Sequence, residues 1–141
     1  VGIVAGQSSI ATSVVDTYRS NIDIVRALGV HYRFQHLFYW QPTVFDKTWQ
    51  TEFEAAEQVK LAPVAAFARE VRGALSRSGL ASVREYSFAD LGPIVANVRE
   101  PVFVDWCHLG ELGNEKIAGR MASDVVAVMT REETSAGSGA R

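Results

Sequence analysis

The residue types best suited to chemistry lie in one short stretch, residues 102–114, which reads VFVDWCHLGELGN. In it, Asp105 stands three residues before His108, between a short apolar run and a helix-patterned segment. A carboxylate at this spacing can accept the Nδ1–H of the imidazole, which fixes the tautomer and leaves the other ring nitrogen free as a base. The alternative is a surface turn whose two side chains only cap the next helix. The spacing leaves both interpretations open.

The same stretch offers two weaker possibilities. Cys107, the only cysteine, is better explained as a small buried thiol than as a nucleophile, because adjacent residues cannot easily align sulfur and imidazole. A metal site would use Asp105, His108 and Glu111, and one imidazole with irregularly spaced carboxylates is weak support for a metal. GELGN lacks the spacing of nucleotide-binding loops. We therefore expect no metal and no cofactor.

The segment before this stretch predicts a helix and then a strand. A capping pattern and an apolar stripe predict a helix over 13–28 that ends at Gly29. Residues 30–41 alternate in polarity and turn apolar on both faces, which predicts a parallel strand covered by helices on both sides. Residues 1–9 are open to two interpretations, a short strand with a glycine turn or a leader into the helix.

Ligands of open α/β sheets lie beyond the carboxyl ends of the strands. The strand predicted here ends in Trp-Gln-Pro, so Trp40, Gln41 and Thr43 are candidate substrate-binding residues. The ring of Trp40 could instead belong to the core, and that interpretation is favoured. Gln41 is the better candidate for a polar contact.

The rest of the chain continues the alternation of helices and strands. It predicts a three-layer α/β/α fold with a short, mainly parallel sheet, in a single domain over 1–131 with a disordered tail over 132–141. The charged residues of the middle helices are expected to be solvated surface; they are Glu52, Glu54, Glu57, Arg69, Glu70 and Arg72. The predicted elements are helices over 48–62, from Pro63 to Gly79, over 93–97 and over 114–129, and a strand over 82–88.

Two stretches resemble the SGNH/GDSL-type hydrolases. FVDWCHLGELGNEKIAGRMASDV is similar to the last block of that family, in which Asp-x-x-His supplies two members of the catalytic triad, and YRSNIDIVRALGVHYRFQHLFYWQPTVFDK is similar to the segment before it. Together they cover most of residues 18–126. The resemblance implies an SGNH-like fold and ester hydrolysis by a Ser nucleophile, with His108 as general base and Asp105 as the residue that orients it.

The nucleophile block of the family is a Gly-x-Ser turn after the first strand. VGIVAGQSS could match it with Ser8 as the nucleophile, although the leader interpretation of these residues is favoured. The blocks that supply the oxyanion donors find no counterpart, so the chain resembles a C-terminal portion of the family, truncated at its N-terminus. The alternative function is a non-catalytic domain of the same fold that self-associates or pairs with another chain.

The composition of the chain indicates which classes of partner to expect. The net charge of −2 and the scattered Lys and Arg give no nucleic-acid footprint, and no apolar run approaches the ~20 residues of a membrane span. The lone cysteine is compatible with a reducing compartment, so we expect a cytoplasmic protein. The expected partners are a small-molecule ester and possible further copies of the chain, with no nucleic acid and no membrane.

Overall fold

The structure, a computed structural model, describes the backbone of residues 2–137 and the side chains of residues 8–130. That part of the chain forms five α-helices and two strands, with three short 3₁₀ turns between them. The elements are α1 (Gly2–Tyr32), β1 (Phe38–Trp40), α2 (Glu52–Lys60), α3 (Ala62–Ser78), β2 (Phe88–Asp90), α4 (Gly92–Ala96) and α5 (Glu111–Gly137), and the 3₁₀ turns are Val44–Asp46, Leu80–Ser82 and Arg84–Tyr86.

The two strands form a parallel pair, with Tyr39 opposite Ala89. On one face of the sheet, Phe38 and Trp40 of β1 pack against the core that α1 and α3 share. On the other face, the Tyr39 hydroxyl donates to Asp124 of α5 at 3.2 Å. α1 and α3 therefore pack on one face of the sheet, and α5 contacts the other, while both strands are half-buried. The predicted α/β class is confirmed, with helix as the main component.

A second apolar cluster supports the stretch around His108. It joins the 3₁₀ turn after β1, α4 and the segment before the Asp-x-x-His loop, through Val44, Val95, Val102 and Phe103. All four side chains are buried. Burying aliphatic and aromatic side chains contributes roughly 1.5–3 kcal/mol each, so this cluster gives the loop a rigid base.

The helix predicted over 13–28 is longer, and the strand predicted over 30–41 is shorter. α1 passes through Gly29, and the Phe34 N–H donates to the Gly29 carbonyl at 3.1 Å, with Arg33 left-handed at φ 58°. This is the closure of a Schellman motif. Gly29 permits it because a Cβ there would lie 3.0 Å from the Phe34 carbonyl oxygen. The prediction placed the left-handed residue at Gly29, because glycine adopts that conformation most easily. In the structure, Arg33 adopts it instead.

The strand predicted over 82–88 is also displaced, because two 3₁₀ turns occupy most of it and β2 begins only at Phe88. The helix predictions around it hold better. Pro63 lies in the first turn of α3, where its missing N–H costs nothing. Gly79 follows α3 with φ 71°, so this helix ends where it was predicted to end.

The last helix carries Ile117, Met121, Val125 and Val128 at helical spacing, which predicts a buried stripe, and this prediction is wrong in part. Ile117 is buried, but Met121 and Val125 are exposed. The helix instead makes its closest approach near its start, at Gly113, where a Cβ would lie 2.5 Å from the Val102 carbonyl oxygen. Only glycine lets α5 begin this close to the loop.

The ends of the last helix also differ from the prediction of 114–129. α5 runs to Gly137 and so occupies part of the segment 132–141 that was predicted to be disordered. Residues 138–141 lie outside the described residues. Among the described residues, no helix is both long and apolar enough to cross a membrane.

Candidate functional site

The structure brings Asp105 and His108 into direct contact. The Nδ1–H of His108 donates to Asp105 Oδ2 at 2.6 Å. Asp105 Oδ1 accepts the backbone N–H groups of Cys107 at 2.8 Å and of His108 at 2.7 Å. The carboxylate is thus held by its own turn while it holds the ring. The His108 side chain is 74% exposed, and its Nε2 has no hydrogen-bond partner among the described residues.

These contacts set the charge of the turn. The backbone N–H groups of His108 and Cys107, and the imidazole of His108, together lower the pKa of Asp105 well below its usual value. Asp105 is therefore ionised at neutral pH and can stabilise an imidazolium on His108. Partial burial and the nearby Asp105 carboxylate raise the pKa of the Cys107 thiol. Cys107 is accordingly a neutral thiol at pH 7. It is half-buried, not fully buried as predicted, and its Sγ lies 3.7 Å from His108 Nδ1.

The loop that carries the pair is closed at its base. The Val104 N–H donates to the His108 carbonyl, and the Gly110 N–H donates to the Val102 carbonyl, both at 2.9 Å. Phe103 and Leu109 form an antiparallel bridge between the same two arms. The turn that holds Asp105 and His108 is therefore the tip of a tight hairpin.

The end of β1 anchors this hairpin from the side. The Gln41 Nε2 group donates to the Cys107 carbonyl at 2.8 Å. The Val44 N–H donates to the Trp106 carbonyl at 2.9 Å. The Trp-Gln-Pro segment and the Asp-x-x-His loop are thus neighbours, as predicted. The amide N–H of Gln41, however, binds the loop backbone.

The other two predicted binding residues, Trp40 and Thr43, line a pocket of about 260 Å³ beside the hairpin. Trp106, from the tip of the hairpin, lines the same pocket. Trp40 also belongs to the core, with its ring edge-on to Tyr18 at 5.2 Å between centroids. The core role of Trp40 is therefore present, and its contact with a substrate stays a prediction.

Sequence reasoning missed a charged cluster beneath this pocket. The Arg72 guanidinium donates to Asp90 at 2.6 Å and also to Asp46. Asp46 in turn accepts the Thr43 N–H at 2.7 Å, which fixes the turn after β1. Arg72 was expected to be solvated, but its side chain is only 29% exposed. The Thr-x-x-Asp spacing of a capping box and an aspartate at the end of a strand were the available signals.

A second contact that was not predicted from the sequence stabilises the base of the hairpin. Glu54, also expected to be solvated, is fully buried and ion-paired with buried Lys47 at 2.6 Å. Its other oxygen accepts the Val102 N–H at 3.0 Å. The predicted surface roles of Glu54 and Arg72 are therefore corrected. Glu54 pairs with Lys47, seven residues away, and Arg72 pairs with Asp90 and Asp46, which are 18 and 26 residues away.

The structure does not join Ser8 to the pair. Ser8 lies inside α1, where its carbonyl accepts the Thr12 hydroxyl at 3.0 Å, and no strand precedes it among the described residues. Ser8 and His108, both described, share no hydrogen bond. The leader interpretation of the N-terminal residues agrees with this helix, while Val1 lies outside the described residues. The nucleophile role of Ser8 stays a prediction.

The residues that could hold a metal differ from those considered in the sequence. Ligand atoms of Asp105, Cys107 and His108 lie within 4.8 Å of one another. Glu111, the third residue of the sequence hypothesis, is not in this group. A metal ion on His108 Nδ1 would replace the proton now donated to Asp105, so the two uses of the ring exclude each other.

Searches of protein-family models, curated proteins and solved structures find no match to this chain.

Proposed function

We propose that this chain is an ester hydrolase domain in which His108 is the general base and Asp105 orients it. The observation that carries the proposal is the 2.6 Å hydrogen bond from His108 Nδ1 to an anchored carboxylate, with Nε2 directed away from it and exposed. A surface turn that only capped a helix would not need this bond. The resemblance of two stretches of the sequence to SGNH/GDSL-type hydrolases supports the same assignment, and an SGNH-like fold is part of the proposal.

In this chemistry, Nε2 of His108 takes the proton of a serine hydroxyl as its oxygen attacks the ester carbonyl carbon. The imidazolium that forms is stabilised by ionised Asp105. It then returns the proton to the alcohol oxygen as the ester C–O bond breaks and an acyl-serine remains. Water repeats the sequence and releases the carboxylic acid. A positioned base contributes about a hundred- to ten-thousandfold to such a step.

Hydrolysis of p-nitrophenyl acetate tests the proposal. We expect His108→Gln to lower kcat/KM at least about a hundredfold, and Asp105→Asn to lower it comparably, because the ring loses its orientation and charge partner. His31→Gln is the matched control, since His31 lies in the last turn of α1. Equal loss in the His31 and His108 variants, or none in either, would refute a specific role for His108.

A fluorophosphonate label identifies the nucleophile. An active serine reacts covalently, and mass spectrometry of the digested protein locates it. Labelling at Ser8 that is lost in Ser8→Ala would assign it, and labelling at another serine would remove Ser8 from the mechanism. A protein that neither labels nor hydrolyses esters would contradict the enzyme proposal.

The second candidate is a non-catalytic domain of the same fold that associates with itself or with another chain. Each strand of the described sheet has one edge without a strand partner, and unpaired edges invite pairing. Large apolar residues are also exposed on the two long helices, among them Ile24, Val30 and Val126. Light scattering measures the molar mass in solution and so tests self-association. A monomer at every concentration would contradict it.

The remaining parts of the proposal follow from the sequence. The substrate is a small ester, with neither nucleic acid nor membrane as partner. The single cysteine supports a cytoplasmic location. The chemistry described uses only side chains and water, without a cofactor.

A further inference from the structure

The pocket beside the hairpin has a wall with two distinct parts. Its apolar part comes from α1, α3, the end of β1 and the hairpin tip, through Val14, Trp40, Val64, Phe67, Ala68 and Trp106. Its polar part consists of Thr43, Asp46, Arg69 and Arg72. A largely apolar wall with a few polar groups is typical of a small-molecule site.

Nearly all of the polar groups in this wall satisfy one another. Arg72 pairs with Asp46 and with Asp90. The Thr43 hydroxyl donates to Asp46 at 3.0 Å. One arginine and two aspartates give this network a net charge of −1, and its donors and acceptors are engaged with one another. The network shapes the pocket and leaves few groups free for a ligand.

Arg69 is the exception. It lies on α3 one turn before Arg72, lines the pocket, and has no ion pair or hydrogen bond with any other described residue. Arg69 is exposed, and it is the one charged side chain of the pocket wall without a partner among the described residues. A ligand that complements both features carries an apolar body and one negative charge.

We propose that this pocket binds a short aliphatic carboxylate, with the chain between Trp40, Phe67 and Trp106 and the carboxylate on Arg69. Guanidinium and carboxylate match in charge and in their paired donor and acceptor geometry. The inference goes beyond the proposed function, because binding requires neither His108 nor a nucleophile. If the hydrolase proposal also holds, the pocket provides a place for the acyl part of the substrate beside the base.

The size of the pocket limits the length of the aliphatic chain that the ligand can have. At about 260 Å³ it lies just below the roughly 300–1,000 Å³ of sites for drug-sized ligands. Each methylene that enters an apolar site tightens binding about fourfold. Affinity should therefore rise from butanoate to hexanoate to octanoate and level off once the cavity is full.

Tryptophan fluorescence can measure the binding of such ligands to the pocket. Trp40 and Trp106 line the pocket, whereas Trp49 is exposed elsewhere and stacks with Arg99. Titration with hexanoate, hexan-1-ol and hexylamine should give a saturable change with one site, strongest for the carboxylate and weakest for the amine. Calorimetry gives the same comparison independently of fluorescence. Trp106→Phe should remove much of the fluorescence change.

Two variants test separately whether the charge of Arg69 and the cavity itself contribute to binding. Arg69→Gln should weaken hexanoate about three- to fivefold, as expected for an exposed ion pair, and leave hexan-1-ol unchanged. Arg77→Gln is the matched control, because Arg77 lies on the same helix and does not line this pocket. Ala68→Phe, checked for its fold by circular dichroism, should abolish binding of both ligands by filling the cavity.

The results separate this inference from the proposed function. His108→Gln should bind hexanoate as the parent does, even where ester hydrolysis is lost. Binding without hydrolysis would support the pocket and contradict the enzyme. No saturable binding of hexanoate by either method, or equal binding by the Arg69→Gln variant, would overturn the inference whatever the esterase assay shows.

Discussion

The buried ion pair between Lys47 and Glu54 provides the sharpest test of how this fold is held together. Both side chains are fully buried, and their charged atoms lie 2.6 Å apart. Glu54 also accepts the Thr51 N–H at 2.9 Å and the Val102 N–H at 3.0 Å. One carboxylate therefore caps α2 and holds the segment that leads into the hairpin. Glu54→Gln keeps the shape of the side chain and removes its charge.

The expected cost follows from what the substitution leaves behind. Lys47 would retain only the Glu100 carbonyl, at 2.8 Å, and its charge would be buried without a counterion. Breaking a buried pair in this way destabilises a protein by about 3–5 kcal/mol. For a chain of 141 residues this corresponds to a decrease in Tm of about 10–15 °C. Denaturation in urea, followed by circular dichroism, measures the free energy of unfolding.

Glu57→Gln is the matched control on the same helix. Glu57 pairs with Lys60 at 3.1 Å; the Lys60 side chain is 68% exposed and the Glu57 side chain 13% exposed. Because Lys60 stays solvated when the pair is broken, the pair should contribute about 0–1 kcal/mol, and this variant should unfold nearly as the parent does. If the Glu54 and Glu57 variants differ by less than about 1 kcal/mol, the buried pair does not stabilise the fold as reasoned here.

The same pair predicts a pH dependence. Desolvation raises the pKa of Glu54, but hydrogen bonds from Lys47, Thr51 and Val102 outweigh it and leave the pKa below its ordinary 4.5. Because the folded state holds the proton less tightly than the unfolded state, the stabilisation is complete above about pH 4.5 and is lost as the pH falls further. The difference between parent and Glu54→Gln should therefore be constant near neutrality and shrink in acid.

Two further predictions concern the hairpin and the helix behind it. Gly113→Ala should destabilise the protein by about 1–3 kcal/mol in urea denaturation, because its Cβ would press on the Val102 carbonyl. Gly119→Ala on the same helix meets nothing within 4 Å and should stabilise by up to about 1 kcal/mol; the reverse order would contradict the contact. Asp105→Asn should speed iodoacetamide alkylation of Cys107 at pH 7–8, since the negative charge that helps raise the thiol pKa is removed, and the rates should converge at high pH. Equal rates at pH 7–8 would show that Asp105 does not act on the thiol.

Local patterns predicted the helices better than the strands. Pro63 and Gly79 marked the start and end of α3 because each has a strong backbone preference of its own. The alternation over 30–41 predicted a long strand, yet its first residues complete α1 and only Phe38–Trp40 pair. Strand pairing depends on a partner that is distant in the chain, and a single stretch carries no information about that partner. For the same reason, β2 could not be placed from its own residues.

The sequence by itself determined the turn that holds the candidate base. Asp105 and His108 stand three residues apart, and a carboxylate at that spacing reaches both the backbone N–H groups and the ring. Only the tertiary structure decided that Glu54 and Arg72 are paired and that Trp106 meets Trp40 at a pocket. Short-range hydrogen bonds follow from spacing, whereas burial and charge pairing depend on which distant segments the fold brings together.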